Sequence, residues 1–143
     1  MRDNGLTMVE IMVTIAIISI IIVMGLFISN DFYRSNLLSS ERDALLSVLR
    51  RARSESLVNE YGLPHGVYIS AQNFVVFAGG SYAGRSAQYD ENIPRSAGVS
   101  VGGLNEVVFE LLSATSTASG TFVLSDGVRS STVSVNYEGR ITW

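Results

Sequence analysis

Residues 6–28 read LTMVEIMVTIAIISIIIVMGLFI, and this stretch decides the architecture. Eighteen of its 23 residues are apolar, against about 41% of the remaining chain. As an α-helix rising about 1.5 Å per residue it is about 34 Å long, enough to cross a hydrocarbon core of about 30 Å. A secretory signal would have a shorter apolar region of about 7–15 residues and then a small-residue cleavage site. Neither feature occurs, so any cleavable leader lies before the apolar run. Arg2, opposed by Asp3, precedes the run and Asp31 and Arg34 follow it. That distribution favours an N-terminus in the cytoplasm, with residues 31–143 carried across the membrane.

Glu10 is the anomaly in this run. A carboxylate inside an apolar span costs about 2.5–3.5 kcal/mol on insertion scales, so an intramembrane acid calls for a function or a partner. The nearest cations are Arg2 and a free amine, should cleavage beside Leu6 create one. The plain alternative is that Glu10 sits among headgroups at the edge of the span.

The rest of the composition is mostly exclusions. The chain has 143 residues, 47% of them hydrophobic, and its ten basic residues, all arginine, are outnumbered by thirteen acids for a net charge of -3. Such a chain has no broad basic surface for nucleic acid or anionic lipid. Without cysteine there is no disulfide framework, thiol nucleophile or zinc–thiolate site. His65 is the single histidine, and with no second ligand nearby it reads as a loop or domain-edge residue. No GxSxG elbow surrounds any serine, and a serine, His65 and Asp126 would make a triad by arithmetic alone. The expectation is a protein that is not an enzyme, with no cofactor, no metal and no catalytic residues.

Downstream of the apolar run, NLLSSERDALLSVLRRARSESLVNEY carries Leu38, Leu45, Leu49 and Ala52 at helical spacing between charges. The helix is therefore expected to continue to about Tyr61, a length of about 84 Å, with Gly62 and Pro64 as stop signals. Arg50, Arg51 and Arg53 read as a solvated face with intrahelical pairs to residues such as Glu55. Asp31, Arg34, Glu41 and Arg42 suit pairing either within the helix or between packed subunits. The period then becomes alternating. GVYIS and NFVVFAG read as a hairpin, followed by EVVFELL, GTFVLSDG and STVSVNYEGRITW, with turns at Asp126-Gly127 and Glu138-Gly139. Four to six antiparallel strands are expected. Residues 79–103, rich in glycine and serine, read as an irregular loop and a candidate partner contact, in which Asp90 and Glu91 lack the ligand spacing of a calcium loop.

The string NGLTMVEIMVTIAIISIIIVMG resembles the class III signal of type IV pilins and type II secretion pseudopilins. In that resemblance Gly5 is the glycine before the cut made by a membrane prepilin peptidase, and Leu6 is the new N-terminal residue that becomes N-methylated. Thr7 and Glu10 match the family's threonine and glutamate, and the glutamate is thought to neutralise the amine of a neighbouring subunit during assembly. Leu6 stands where phenylalanine is commoner, the leader MRDNG is short, and Ser19 and Phe27 replace glycine and proline of major pilins. The segments ALLSVLRRARSESLVNEYG, VVFELL, GTFVLSDG and VSVNYEGRI are similar to the H-type minor pseudopilins and the FimT/FimU minor pilins.

The resemblance implies an α+β fold in which a long N-terminal helix carries a small antiparallel β-sandwich or curled-sheet head. The implied divisions are a leader at 1–5, a transmembrane and assembly helix at 6–28, an amphipathic continuation at 29–62, and a head at 63–143. It implies a minor pilin or pseudopilin held in the inner (cytoplasmic) membrane by one span, its head outside the cytoplasm, and then built into a pilus or periplasmic pseudopilus. The implied partners are other pilin subunits, the prepilin peptidase/methyltransferase and the membrane. The alternative is a DNA-uptake or adhesive minor pilin whose head binds an external ligand. Some FimT-like members bind DNA through a C-terminal glycine-arginine motif with a second arginine. Here Thr142 follows Gly139-Arg140-Ile141 in that place, which with the acidic net charge makes nucleic acid an unlikely partner.

Overall fold

The computed structural model describes residues 7–143, of which 26–31 are described as helical backbone alone. Helix α1 spans Met8–Leu57, and the chain divides into two compact units between Ser35 and Asn36. In the first unit the apolar window Met8–Gly25 has none of its residues buried. Its hydroxyls are handled inside the helix: Thr14 Oγ1 donates to the Glu10 carbonyl at 2.7 Å and Ser19 Oγ to the Ile15 carbonyl at 2.8 Å. Such back-bonding leaves no hydroxyl proton facing an apolar solvent.

The second unit is the head, and it includes residues 36–57 of α1. The helix stops at Leu57, four residues before the expected Tyr61. Asn59 (φ 59°) and Tyr61 (φ 52°) are left-handed and Gly62 follows at φ 68°, a run of dihedrals that breaks the helical ladder. Ser56, fully buried, anchors this end: its Oγ donates to the Phe109 carbonyl and accepts the His65 N–H, both at 2.9 Å. The Ser56 carbonyl in turn accepts the Leu112 N–H at 2.9 Å. An otherwise orphaned end of the helix is thus tied to the sheet beside it.

Eight strands follow: β1 (His65–Ile69), β2 (Asn73–Ala78), β3 (Glu91–Pro94), β4 (Ser100–Gly103), β5 (Glu106–Phe109), β6 (Gly120–Ser125), β7 (Ser130–Val135) and β8 (Ile141–Thr142). They form two four-stranded antiparallel sheets, ordered β3-β2-β1-β5 and β4-β6-β7-β8. The fold is α+β, with open sheets. The β1–β2 hairpin pairs Val67 with Val76, and the Asp126-Gly127 turn joins β6 to β7, as the alternation predicts.

Residues 79–103 correct the expected irregular loop, since they contain β3 and β4. Both are short edge strands whose partners, β2 and β6, supply the order through backbone bonds rather than through any side-chain period. Pro94 fits at such an edge, where no ladder donor is required. The segment between β2 and β3 also packs. Tyr82 stacks on Tyr68 at 3.8 Å between ring centroids and meets the Phe77 ring edge-on at 5.7 Å. Its N–H donates to Glu106 Oε1 at 2.7 Å.

One hydrophobic core unites the head. Leu45, Leu49 and Ala52 of α1 meet Val67, Phe74, Val107 and Phe109 from the first sheet and Phe122, Leu124, Val133 and Val135 from the second. Alternate strand residues supply these contacts, and α1 presents the face predicted from Leu38, Leu45, Leu49 and Ala52.

Candidate functional site

The N-terminal end of α1 carries the residues that the resemblance singles out. Gly5 and Leu6 lie outside the described residues. Thr7 directly precedes the first helical residue, and its Oγ1 accepts the Glu10 N–H at 3.3 Å while its carbonyl accepts the Ile11 N–H at 3.2 Å. Thr7 is therefore the N-cap and Glu10 the third residue of the helix, the T-x-x-E spacing of a capping box. The sequence reading missed this pattern, although the spacing was in plain view. It places a carboxylate in the first turn, where the helix dipole favours negative charge.

Glu10 is also the sole ionisable side chain between Met8 and Gly25. It is exposed, and among the described residues its carboxylate has no hydrogen-bond or ion-pair partner. The dipole can offset part of the cost of this charge in an apolar medium, but a cation beside it would offset far more. Around it, Met8, Val9, Ile11, Met12 and Val13 are 47–80% exposed. The helix end thus offers an apolar surface and one carboxylate that no cation among the described residues pairs with.

In the head, structure corrects several charge readings. Glu41 is neither a solvated helix residue nor free for a neighbour: it is 6% exposed and lies 3.4 Å from Arg95 Nε. Its carboxylate accepts the Ser96 N–H at 3.1 Å, and Arg95 donates to the Ser70 and Val99 carbonyls and lies over the Phe74 ring. Of the three clustered arginines, Arg51 makes the expected pair with Glu55 at 2.8 Å and adds one to Glu91 at 2.6 Å. Those carboxylates, Glu55 foremost, raise the Arg51 pKa above the ordinary arginine value. Arg50 instead lies 4.8 Å over the Trp143 ring, and the Arg53 Nε is buried.

His65 is the largest departure from the expected loop or domain-edge residue. It opens β1, is 2% exposed, and both ring nitrogens are buried without a partner. Strand alternation puts it on the face shared by Val67 and Ile69, under the end of α1. It does not join Asp126, which caps the β6–β7 turn by accepting the Val128 and Arg129 N–H groups. Asp90, expected in a solvated loop, is paired at 2.7 Å with Arg85. Among the described residues no three histidine, aspartate or glutamate side chains converge in a way that would hold a metal ion.

At the opposite end of the chain, the β7–β8 turn is built by Asn136, which accepts the Arg140 N–H on Oδ1 at 2.8 Å. Gly139 (φ 71°) is required there, because a Cβ would run into the Ala114 carbonyl. The Thr142 hydroxyl is hydrogen-bonded to Ser134 Oγ at 2.6 Å, a structural role in holding β8 to β7.

Residues 1–26 match the family described as the prokaryotic N-terminal methylation motif. Neither the curated proteins nor the solved structures contain a match to the chain.

Proposed function

We propose that this protein, whose methylation motif is the signature of type IV pilins and pseudopilins, is a minor subunit of such a filament, processed by prepilin peptidase and assembled through α1. The motif belongs to structural filament proteins rather than to an enzyme family. In this reading the peptidase cuts between Gly5 and Leu6, and Leu6 is N-methylated. The single observation that carries the reading is the pairing of that motif with an exposed apolar helix whose one charge, Glu10, has no partner among the described residues.

The physics couples processing to assembly. Before cleavage the amine lies at the far end of the leader. After it, the N-methylated amine of Leu6 is a compact cation at the start of an apolar helix. In a low-dielectric filament core, a neighbour's amine and the Glu10 carboxylate each remove the other's desolvation penalty. Thr7 holds the first turn, so that Glu10 is presented from an ordered helix. Methylation leaves the amine charged while making it bulkier and less hydrated.

The test is co-expression with a prepilin peptidase followed by intact-mass and N-terminal analysis. The expected product begins at N-methylated Leu6, and replacing Gly5 with a bulky residue leaves the precursor uncut. A mature chain starting elsewhere, or a precursor untouched by an active peptidase, refutes the assignment.

A further inference from the structure

Beyond filament assembly itself, two features of α1 fix how deep the proposed subunit sits in the bilayer before it assembles. Phe32 and Tyr33 lie past the apolar window that ends at Gly25, yet they are 70% and 66% exposed. Aromatic rings just beyond a span suit the headgroup region, where the ring meets the upper acyl chains and a tyrosine hydroxyl meets water. Side chains on a helix lean towards its N-terminus, so both rings lean back towards the span. Arg34 follows, with a stem long enough to carry its charge to the phosphates.

Glu10 and Tyr33 are 23 residues apart within one continuous helix, a separation of about 34 Å. A hydrocarbon core of about 30 Å is too thin for both, whereas a bilayer with its headgroups, about 40–45 Å thick, holds both. Residues 11–30, twenty residues without an ionisable side chain, match the core in length. Hydroxyl groups divide at the same boundary. Inside that interval Thr14 and Ser19 each donate their hydroxyl proton to a carbonyl of their own helix. Outside it, Thr7 Oγ1 accepts the Glu10 N–H and donates to no acceptor among the described residues. An unfilled donor and a carboxylate on one helical turn call for water or headgroups.

We propose that Phe32 and Tyr33 anchor α1 in the headgroup layer of one leaflet and thereby place Glu10 in the headgroup layer of the other, with residues 11–30 crossing the hydrocarbon. The proposal rests on α1 spanning a bilayer, as the filament reading requires, and adds where the span begins and ends. The apolar segment 6–28 is then not centred in the membrane, since its first residues sit at the polar boundary. Glu10 keeps its hydration while the subunit waits in the membrane, and loses it only on entry into a filament, where a neighbouring cation replaces water. Membrane insertion therefore needs no partner for Glu10, and assembly does.

The full chain has no cysteine, so single spin labels report depth without background. Val13→Cys, Ile17→Cys, Ile21→Cys and Met24→Cys, all at exposed positions of α1, are labelled in phosphatidylcholine vesicles and probed with oxygen and an aqueous nickel complex. The expected profile is deepest at position 21, equal at 17 and 24, and shallowest at 13. Replacing both aromatics, Phe32→Ala with Tyr33→Ala, is expected to move the deepest point about 6 Å along the helix, towards position 17. The exchange Phe32→Tyr with Tyr33→Phe is expected to keep it at 21. A profile deepest at 17 with both aromatics in place, or one that the alanine pair leaves unchanged, overturns the proposal while the span stands. Four labels open to the nickel complex would mean that α1 does not span, which overturns the anchor and the span together. Because the measurement needs neither cleavage nor assembly, its outcome is separate from that of the peptidase test.

Discussion

Two stretches of α1 invite comparison, since they share one secondary structure and are stabilised by different surroundings. From Met8 to Gly25 no residue is buried, and the side chains are apolar around the whole circumference. From Leu38 to Ala52 the apolar residues form one face, and Leu45, Leu49 and Ala52 are fully buried against both sheets. A helix apolar on all sides is suited to a solvent that is itself apolar, whereas a striped one is suited to a single packed partner. The first stretch therefore depends on lipid or on other subunits, and the second on its own head.

The largest effect that this contrast predicts is at Glu10. Glu10→Leu is expected to insert into the membrane and leave head unfolding unchanged, while incorporation into filaments falls by about 100-fold or more, because a buried partner cation is left unmatched. Filament shearing followed by immunoblotting measures this, and normal incorporation would remove the proposed role of Glu10.

Next in size is the buried pair in the head. Glu41→Gln leaves Arg95 charged at 6% side-chain exposure, with a predicted loss of about 3–5 kcal/mol in denaturant unfolding. The double change Glu41→Gln with Arg95→Met is expected to recover part of that loss, since the stranded charge is gone.

A paired truncation sharpens the comparison further. Leu49→Ala is expected to cost about 2–5 kcal/mol of head stability, and Ile17→Ala, at a residue 54% exposed, is expected to change it by less than about 0.5 kcal/mol. Equal losses at both positions would contradict the division of the helix into a free and a packed stretch. The smallest effect is at the cap. Thr7→Val removes the acceptor for the Glu10 N–H and is expected to cost about 1 kcal/mol, seen as faster amide exchange confined to the first turn.

Much of this architecture was readable residue by residue. The apolar run identified the span, the Leu38–Ala52 spacing identified the packed face, and the change of period with turn-prone residues between two apolar segments identified β1 and β2. Those features are local periodicities, and each residue's environment follows from its neighbours in sequence. The strands β3 and β4 were not readable, because four-residue edge strands take their order from backbone pairing with chains of other segments. Nor was the helix end, where buried Ser56 and the left-handed Asn59 and Tyr61 stop α1 before the glycine and proline signals are reached.

The candidate residues divide in the same way. Thr7 and Glu10 stand three apart at the start of an apolar run; the charge inside that run was legible in the sequence, whereas the cap that Thr7 makes on the Glu10 N–H was recognised only in the structure. The choice of partner for Glu41 and the burial of His65 belong to tertiary structure. Charge pairing depends on distance in space, and residues tens of positions apart, such as Glu41 and Arg95, come within 3.4 Å only after the sheets have folded against the helix. Periodicity therefore determined which surfaces exist, and packing alone decided which charged and polar groups on them remain without a partner.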